Sequence, residues 1–228
     1  MPLACEVRRP QVLPPRKPII DTSLVFDAPL WHPGLAVSPF LSKNSGTVHT
    51  CTVTGATWGS QGRTFDGIDD NINLGDPAAM EGLAEGTISM WFKPTVNIAD
   101  TDTVTFLDKG NTNCGFGYQL TGKIEFTLYS PFRALVSNQA TWLANVWYFV
   151  NLRFGAGGMS IYINNVLDIE NLAYVAGFTA SATDWTLGCN SAGKWFAPIV
   201  MGEVMIHNRS LSLPETTNLQ LSTQWRYL

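Results

Sequence analysis

The sequence predicts an all-β protein, a two-sheet antiparallel sandwich preceded by an extended N-terminal arm. Three observations point there. Short alternations of apolar and polar residues recur from residue 23 onward, each bounded by Gly, Asn, Asp or Pro. That is the pattern of half-buried strands separated by turns. Only 14% of residues are charged, while 20 are Gly and 13 are Pro, a composition that suits sheets better than a helical bundle. A chain of 228 residues is also long enough to bury a full core as one domain.

The arm, residues 1–22, comes first. Five of the 13 prolines fall in residues 1–20, and proline fixes φ and lacks an amide donor, so this segment is expected to be extended and outside any sheet. Within residues 1–20, Arg8, Arg9, Arg16 and Lys17 oppose Glu6, a net of +3. Subtraction from 14 basic and 18 acidic residues leaves 10 − 17 = −7 for the remainder. An acidic body argues against nucleic acid as its partner, since phosphate contact needs a positive field. A basic arm suits an acidic surface, including that of another copy of this chain or a particle shell. The arm lacks the apolar core and cleavage site of a secretory leader, so a cleaved signal peptide is not expected. Nor does any run of about 18 apolar residues predict a membrane span.

The body, residues 23–228, is read as strands in sequence. Ser23–Asp27 opens it, followed by a proline-punctuated loop around Trp31 and His32. Val48–Val53 alternates, and 56–75 forms a strand–turn–strand unit around Asp66-Gly67-Ile68-Asp69-Asp70. The loop at 75–86 has room for one helical turn. Thr87–Lys93 alternates with Ile88, Met90 and Phe92 on one face. Further strands are expected at 104–107, 117–120, 123–128, 147–154, 160–163, 166–168, 184–188 and 203–206. Asn164-Asn165 predicts a tight hairpin, because Asn tolerates the left-handed backbone that a type I′ turn demands. Ser212, Pro214 and Glu215 carry the signals of a helix start.

Two groups of residues are candidate sites. Asp66, Asp69 and Asp70 supply enough carboxylate oxygen for a Ca²⁺ ion, or they cap their own turn; both readings stand. Tryptophans in loops, namely Trp31, Trp142, Trp185, Trp195 and Trp225, offer flat faces on which sugar rings stack. Trp185, Trp195 and the neighbouring Lys194 form the expected ligand-binding set. Trp58, Trp91 and Trp147 fall in strand patterns and are expected in the core. The four cysteines, Cys5, Cys51, Cys114 and Cys189, are too scattered for a zinc site; they allow two disulfides, and free buried thiols are the preferred reading. No Glu-x-Asp-x-x-Glu or Gly-x-Ser-x-Gly motif is present, so an enzyme is not expected.

The ordered series of Gly62–Asp70, Thr87–Pro94, Trp147–Val150, Ile161–Asn165 and Glu203–Ser212 resembles the LamG-like jelly-roll family of the concanavalin A-like lectin/glucanase superfamily. The likeness spans about residues 23–221. It implies a two-sheet antiparallel jelly roll that binds glycans or proteins, often with Ca²⁺ at a rim loop. Two positions depart from the family: Gly202 replaces its usual Asp, and Asn165 its usual Gly. The arm and the jelly roll together imply a non-enzymatic assembly subunit on a virion or extracellular particle surface, the arm docking on a neighbour. The other implied function is a lectin-like carbohydrate-binding module, with or without Ca²⁺.

Overall fold

The computed structural model describes residues 22–43, 48–98, 103–110, 113–119, 121–129 and 131–228. The arm's Arg8, Arg9, Arg16 and Lys17 lie outside them. In chain order the strands begin β1 Leu24–Pro29, β2 Phe40–Leu41, β3 Thr50–Thr54, β4 Thr57–Gly59, β5 Gly62–Thr64 and β6 Asn71–Gly75. They continue β7 Gly86–Pro94, β8 Val104–Asp108, β9 Cys114–Tyr118, β10 Ile124–Tyr129 and β11 Phe132–Val136. The last are β12 Tyr148–Phe154, β13 Met159–Ile163, β14 Val166–Asn171, β15 Trp185–Leu187 and β16 Ile199–His207, before helix α1 Leu213–Thr223.

Two antiparallel sheets of eight strands result. The first runs β14-β13-β12-β7-β16-β5-β4, with β1 also pairing β16. The second runs β11-β10-β9-β8-β15-β6-β3-β2. This is the expected jelly-roll sandwich. Three strands went unread in the sequence: β2 is only two residues long, β4 and β5 form a hairpin where a single run was expected, and β11 interrupts its apolar residues with Arg133.

Alternation fills the space between the sheets. Ile88, Met90 and Phe92 of β7 face Phe106 of β8 and Phe116 of β9, all essentially unexposed. The Phe92 and Phe106 rings lie 4.8 Å apart, and Tyr118 meets Phe106 edge-on at 4.9 Å. Each such side chain contributes roughly 1.5–3 kcal/mol by leaving water. Trp142 and Trp185, two of the tryptophans read as candidates for sugar stacking, are both in this core, at 1% and 0% exposure.

The β7 residues that alternate away from the core are buried as well, because α1 covers that face. Trp91 donates its indole N–H to Thr223 Oγ1 at 2.7 Å and packs 4.7 Å from the Tyr227 ring. The helix begins as its residues predict. The Ser212 amide and hydroxyl both donate to Glu215 Oε2, at 2.8 and 2.7 Å, and Arg209 grips the same carboxylate. A start of this kind is worth on the order of 1 kcal/mol. The hairpin at Asn164-Asn165 has φ of 52° and 61°, the left-handed pair expected. Cys51, Cys114 and Cys189 are free and buried, and burial pushes the Cys51 thiol up to about 12.

Candidate functional site

The outer faces of the two sheets differ. Under α1, Ser89, Asn151, Asn165 and Gln220 form a chain of side-chain hydrogen bonds that seats the helix on the first sheet. Among the described residues no helix covers the second sheet. A shallow groove of about 70 Å³ crosses β8, β9 and β10 on its outer face, with Thr105, Asp108 and Thr127 buried in its floor.

Strand alternation builds the groove. Cys114, Phe116 and Tyr118 point into the core, so Gly115 and Gly117 leave β9 without outward side chains. A Cβ on Gly117 would come within 2.1 Å of the Val104 carbonyl oxygen. Only glycine permits that approach, where the β8–β9 register shifts between Thr105 and Leu107. Register then aligns Thr186, Asp108, Gly115 and Thr127 in one row across four strands. Asp108 is held still, its Oδ2 accepting the Gly110 and Ser191 amides at 2.9 and 2.8 Å. On β10, Glu125 Oε1 accepts the Thr127 hydroxyl at 2.8 Å. Tyr129 stands at the end of the row, its hydroxyl pushed up chiefly by burial, with Asp108 and Glu125 adding.

Trp195 overhangs this floor. It is half exposed, and its φ of 58° is a left-handed conformation that a bulky residue rarely adopts. Two supports hold it there. The Trp195 carbonyl accepts the Thr105 amide at 2.7 Å. Asn190 organises the preceding turn, its Oδ1 accepting the Lys194 amide at 2.8 Å and its carbonyl the Gly193 amide at 2.9 Å. Lys194 is exposed at the rim. Of the expected ligand-binding set, Lys194 and Trp195 are consecutive on this loop, and Trp185 is not with them. It lies wholly inside, edge-on to Phe178 at 5.5 Å and beneath the Lys109 ammonium at 5.8 Å, where no sugar reaches. The exposed tryptophan missed by strand pattern is Trp58, which sits on the short strand β4.

Asp66, Asp69 and Asp70 do converge, with oxygens within 4.8 Å of one another. One oxygen of Asp66 and one of Asp70 serve the turn itself. Asp66 Oδ1 accepts the Ile68 amide at 2.7 Å, and Asp70 Oδ2 accepts the Asp66 amide at 2.8 Å. Asp70 is buried against Gly55, where a Cβ would sit 1.7 Å from its Oδ1. Desolvation raises its carboxyl above the ordinary range, and Asp66 and Asp69 add to the rise. The turn adjoins the Trp195 loop, since Gly67, Phe196, Pro198 and Trp195 share a hollow of about 400 Å³ beside the groove.

Sequence reading missed most of the groove floor. Thr105, Asp108, Glu125 and Thr127 read as ordinary strand or turn residues, and the available signal was their outward alternation combined with two glycines on β9. It also missed Lys109, fully buried between Asp76 and Glu81. Arg63 was unread too; it is buried with its guanidinium on the Ala56, Leu35 and Val37 carbonyls.

A family model described as the concanavalin A-like lectin/glucanases superfamily matches residues 65–216. No curated protein sequence matches the chain. Among solved structures, the receptor binding domain of botulinum neurotoxin C/D mosaic serotype is 13% identical, over 86% of this chain and 50% of that one, with a TM-score of 0.61. The ligand binding domain of botulinum neurotoxin serotype D, in complex with N-acetylneuraminic acid, is 14% identical over the same shares, also at 0.61. Trypanosoma rangeli sialidase is 16% identical over 91% of this chain and 34% of that one, at 0.65. The chain thus spans half of the toxin domains and a third of the sialidase; at these identities the likeness is one of fold.

Proposed function

This chain belongs to the concanavalin A-like lectin/glucanases superfamily, and from that premise we propose that it is a non-enzymatic, lectin-like module that binds a glycan in the groove of its second sheet. The observation that carries this is Trp195, half exposed and held in a left-handed backbone over a floor of glycines and hydroxyls. Aromatic faces suit the apolar faces of sugar rings, while Thr105, Thr127 and Gln119 supply donors and acceptors for ring hydroxyls. Because the Trp is positioned before any ligand arrives, little ordering cost falls on binding. The similar toxin fold in complex with N-acetylneuraminic acid supports the choice of a sugar. The reading is one of binding rather than catalysis, since Asp108 spends one oxygen on two backbone amides. It is framed without calcium, because Asp66 and Asp70 already cap their own turn.

The test is a glycan array followed by titration calorimetry on the wild type and Trp195→Ala. We expect selective hits and a loss on the order of 1–2 kcal/mol of binding in the variant, with melting unchanged. An array without a selective hit overturns the reading.

A second role adds to the first. The charge split between residues 1–22 and the body favours an arm that tethers the jelly roll to copies of itself or to a particle shell, displaying the groove outward on a virion or extracellular surface.

A further inference from the structure

We infer that the groove is a charge filter, taking uncharged glycans and turning away acidic sugars such as sialic acid. The inference rests on the glycan-binding reading and names the ligand class. Every charged side chain lining the groove is a carboxylate: Asp108 on β8 and Glu125 on β10. Asp184, bonded to Asn73 Nδ2 at 2.8 Å, adds a third on the same face. Asp66 and Asp69 are exposed in the turn that adjoins the Trp195 hollow. No described residue lining the groove or that hollow is basic.

A ligand carboxylate is recognised by a guanidinium or ammonium in direct contact, most specifically by the two-pronged Arg fork. Lys194, beside Trp195, is exposed to solvent and is not among the residues that line the groove, so its charge is screened by water. The Asp108 carboxylate cannot turn aside, since the Gly110 and Ser191 amides fix it. An acidic sugar stacked on Trp195 would thus bring its charge beside two immobile or semi-buried charges of the same sign. Both carboxylates are good acceptors for the hydroxyls of a neutral sugar. The similarity in fold to a toxin domain holding N-acetylneuraminic acid therefore does not extend to the charge of the site.

The experiment is calorimetry on the full chain with matched pairs, each a neutral oligosaccharide and its sialylated form, drawn from the array hits. The neutral member should bind about tenfold tighter or more. Glu125→Gln keeps an acceptor for Thr127 and should narrow that ratio, and so should raising the salt. Equal or tighter binding of the sialylated member overturns the filter while leaving the glycan reading intact. A ratio untouched by Glu125→Gln overturns it as well. Failure of both members to bind removes the glycan reading and the filter together.

Discussion

Lys109 and Trp195 are both placed against their usual habits. Trp195 is a large side chain at positive φ, and the loop holding it is tied by Asn190 on one side and Thr105 on the other. Lys109 is a charged side chain with no exposure, its ammonium on the Asp76 and Glu81 carboxylates and on the Thr183 carbonyl at 2.6 Å. A buried charge is tolerated only where partners replace water, and losing one partner leaves the others desolvated. Lys109→Met is therefore expected to lose roughly 3–5 kcal/mol of stability, measured by urea unfolding. A loss within experimental error would mean that Asp76 and Glu81 rehydrate freely. The part played by Lys109 was invisible in the sequence, because a Lys after an Asp at a strand end reads as a solvated turn, and propensity says nothing of distant partners.

The C-terminal segment and β16 form the element whose behaviour with pH can be worked out. The register of β16 against β7 shifts between Met201 and Val204, and Gly202 in that bulge faces the Tyr227 ring, 2.6 Å from where a Cβ would be. That contact explains why glycine stands where the family has Asp. Glu203, beside it, is almost completely buried, with Arg226 at 3.4 Å, and desolvation raises its carboxyl to about 7. Asp27 on β1 is raised by the same cause, and Glu203 adds to it. A carboxyl raised in the folded state holds a proton that the unfolded chain releases. The contribution of Glu203 to stability therefore falls as pH climbs from its ordinary 4.5 towards about 7. The expected fall is about 3 kcal/mol, read from urea midpoints, and Glu203→Gln should flatten it. Glu215 acts in the opposite sense and in a separate window. Arg209 and Ser212 hold its carboxyl down to about 2, so its contribution is lost only as pH drops below its ordinary 4.5. A stability curve that rises between about pH 5 and pH 7 would overturn the assignment.

At the scale of the whole molecule, α1 closes one sheet, no described residue closes the other, and residues 1–22 precede both in the chain. Deleting residues 1–20 is expected to leave the jelly roll folded and glycan-competent while abolishing assembly, measured by sizing of wild type and truncated chain. Assembly that survives the deletion would discard the arm's role. The sandwich itself was legible, because alternation at Thr87–Lys93 and Tyr148–Phe154, Asn164-Asn165 and the Ser212–Glu215 start are local signals with local physical causes. Trp185, Lys109 and the groove were not. Whether a tryptophan stacks on a sugar or fills a core depends on what lies opposite, and Lys109 is 76 residues from Trp185 while Asp108 is 83 from Ser191. The sequence by itself determined the strands, the turns and the helix start, since each depends on neighbours a few residues away. Only the tertiary structure decided which sheet α1 covers, which carboxylates line the groove on the other and which tryptophan overhangs it, because those follow from register and packing between strands far apart in the chain.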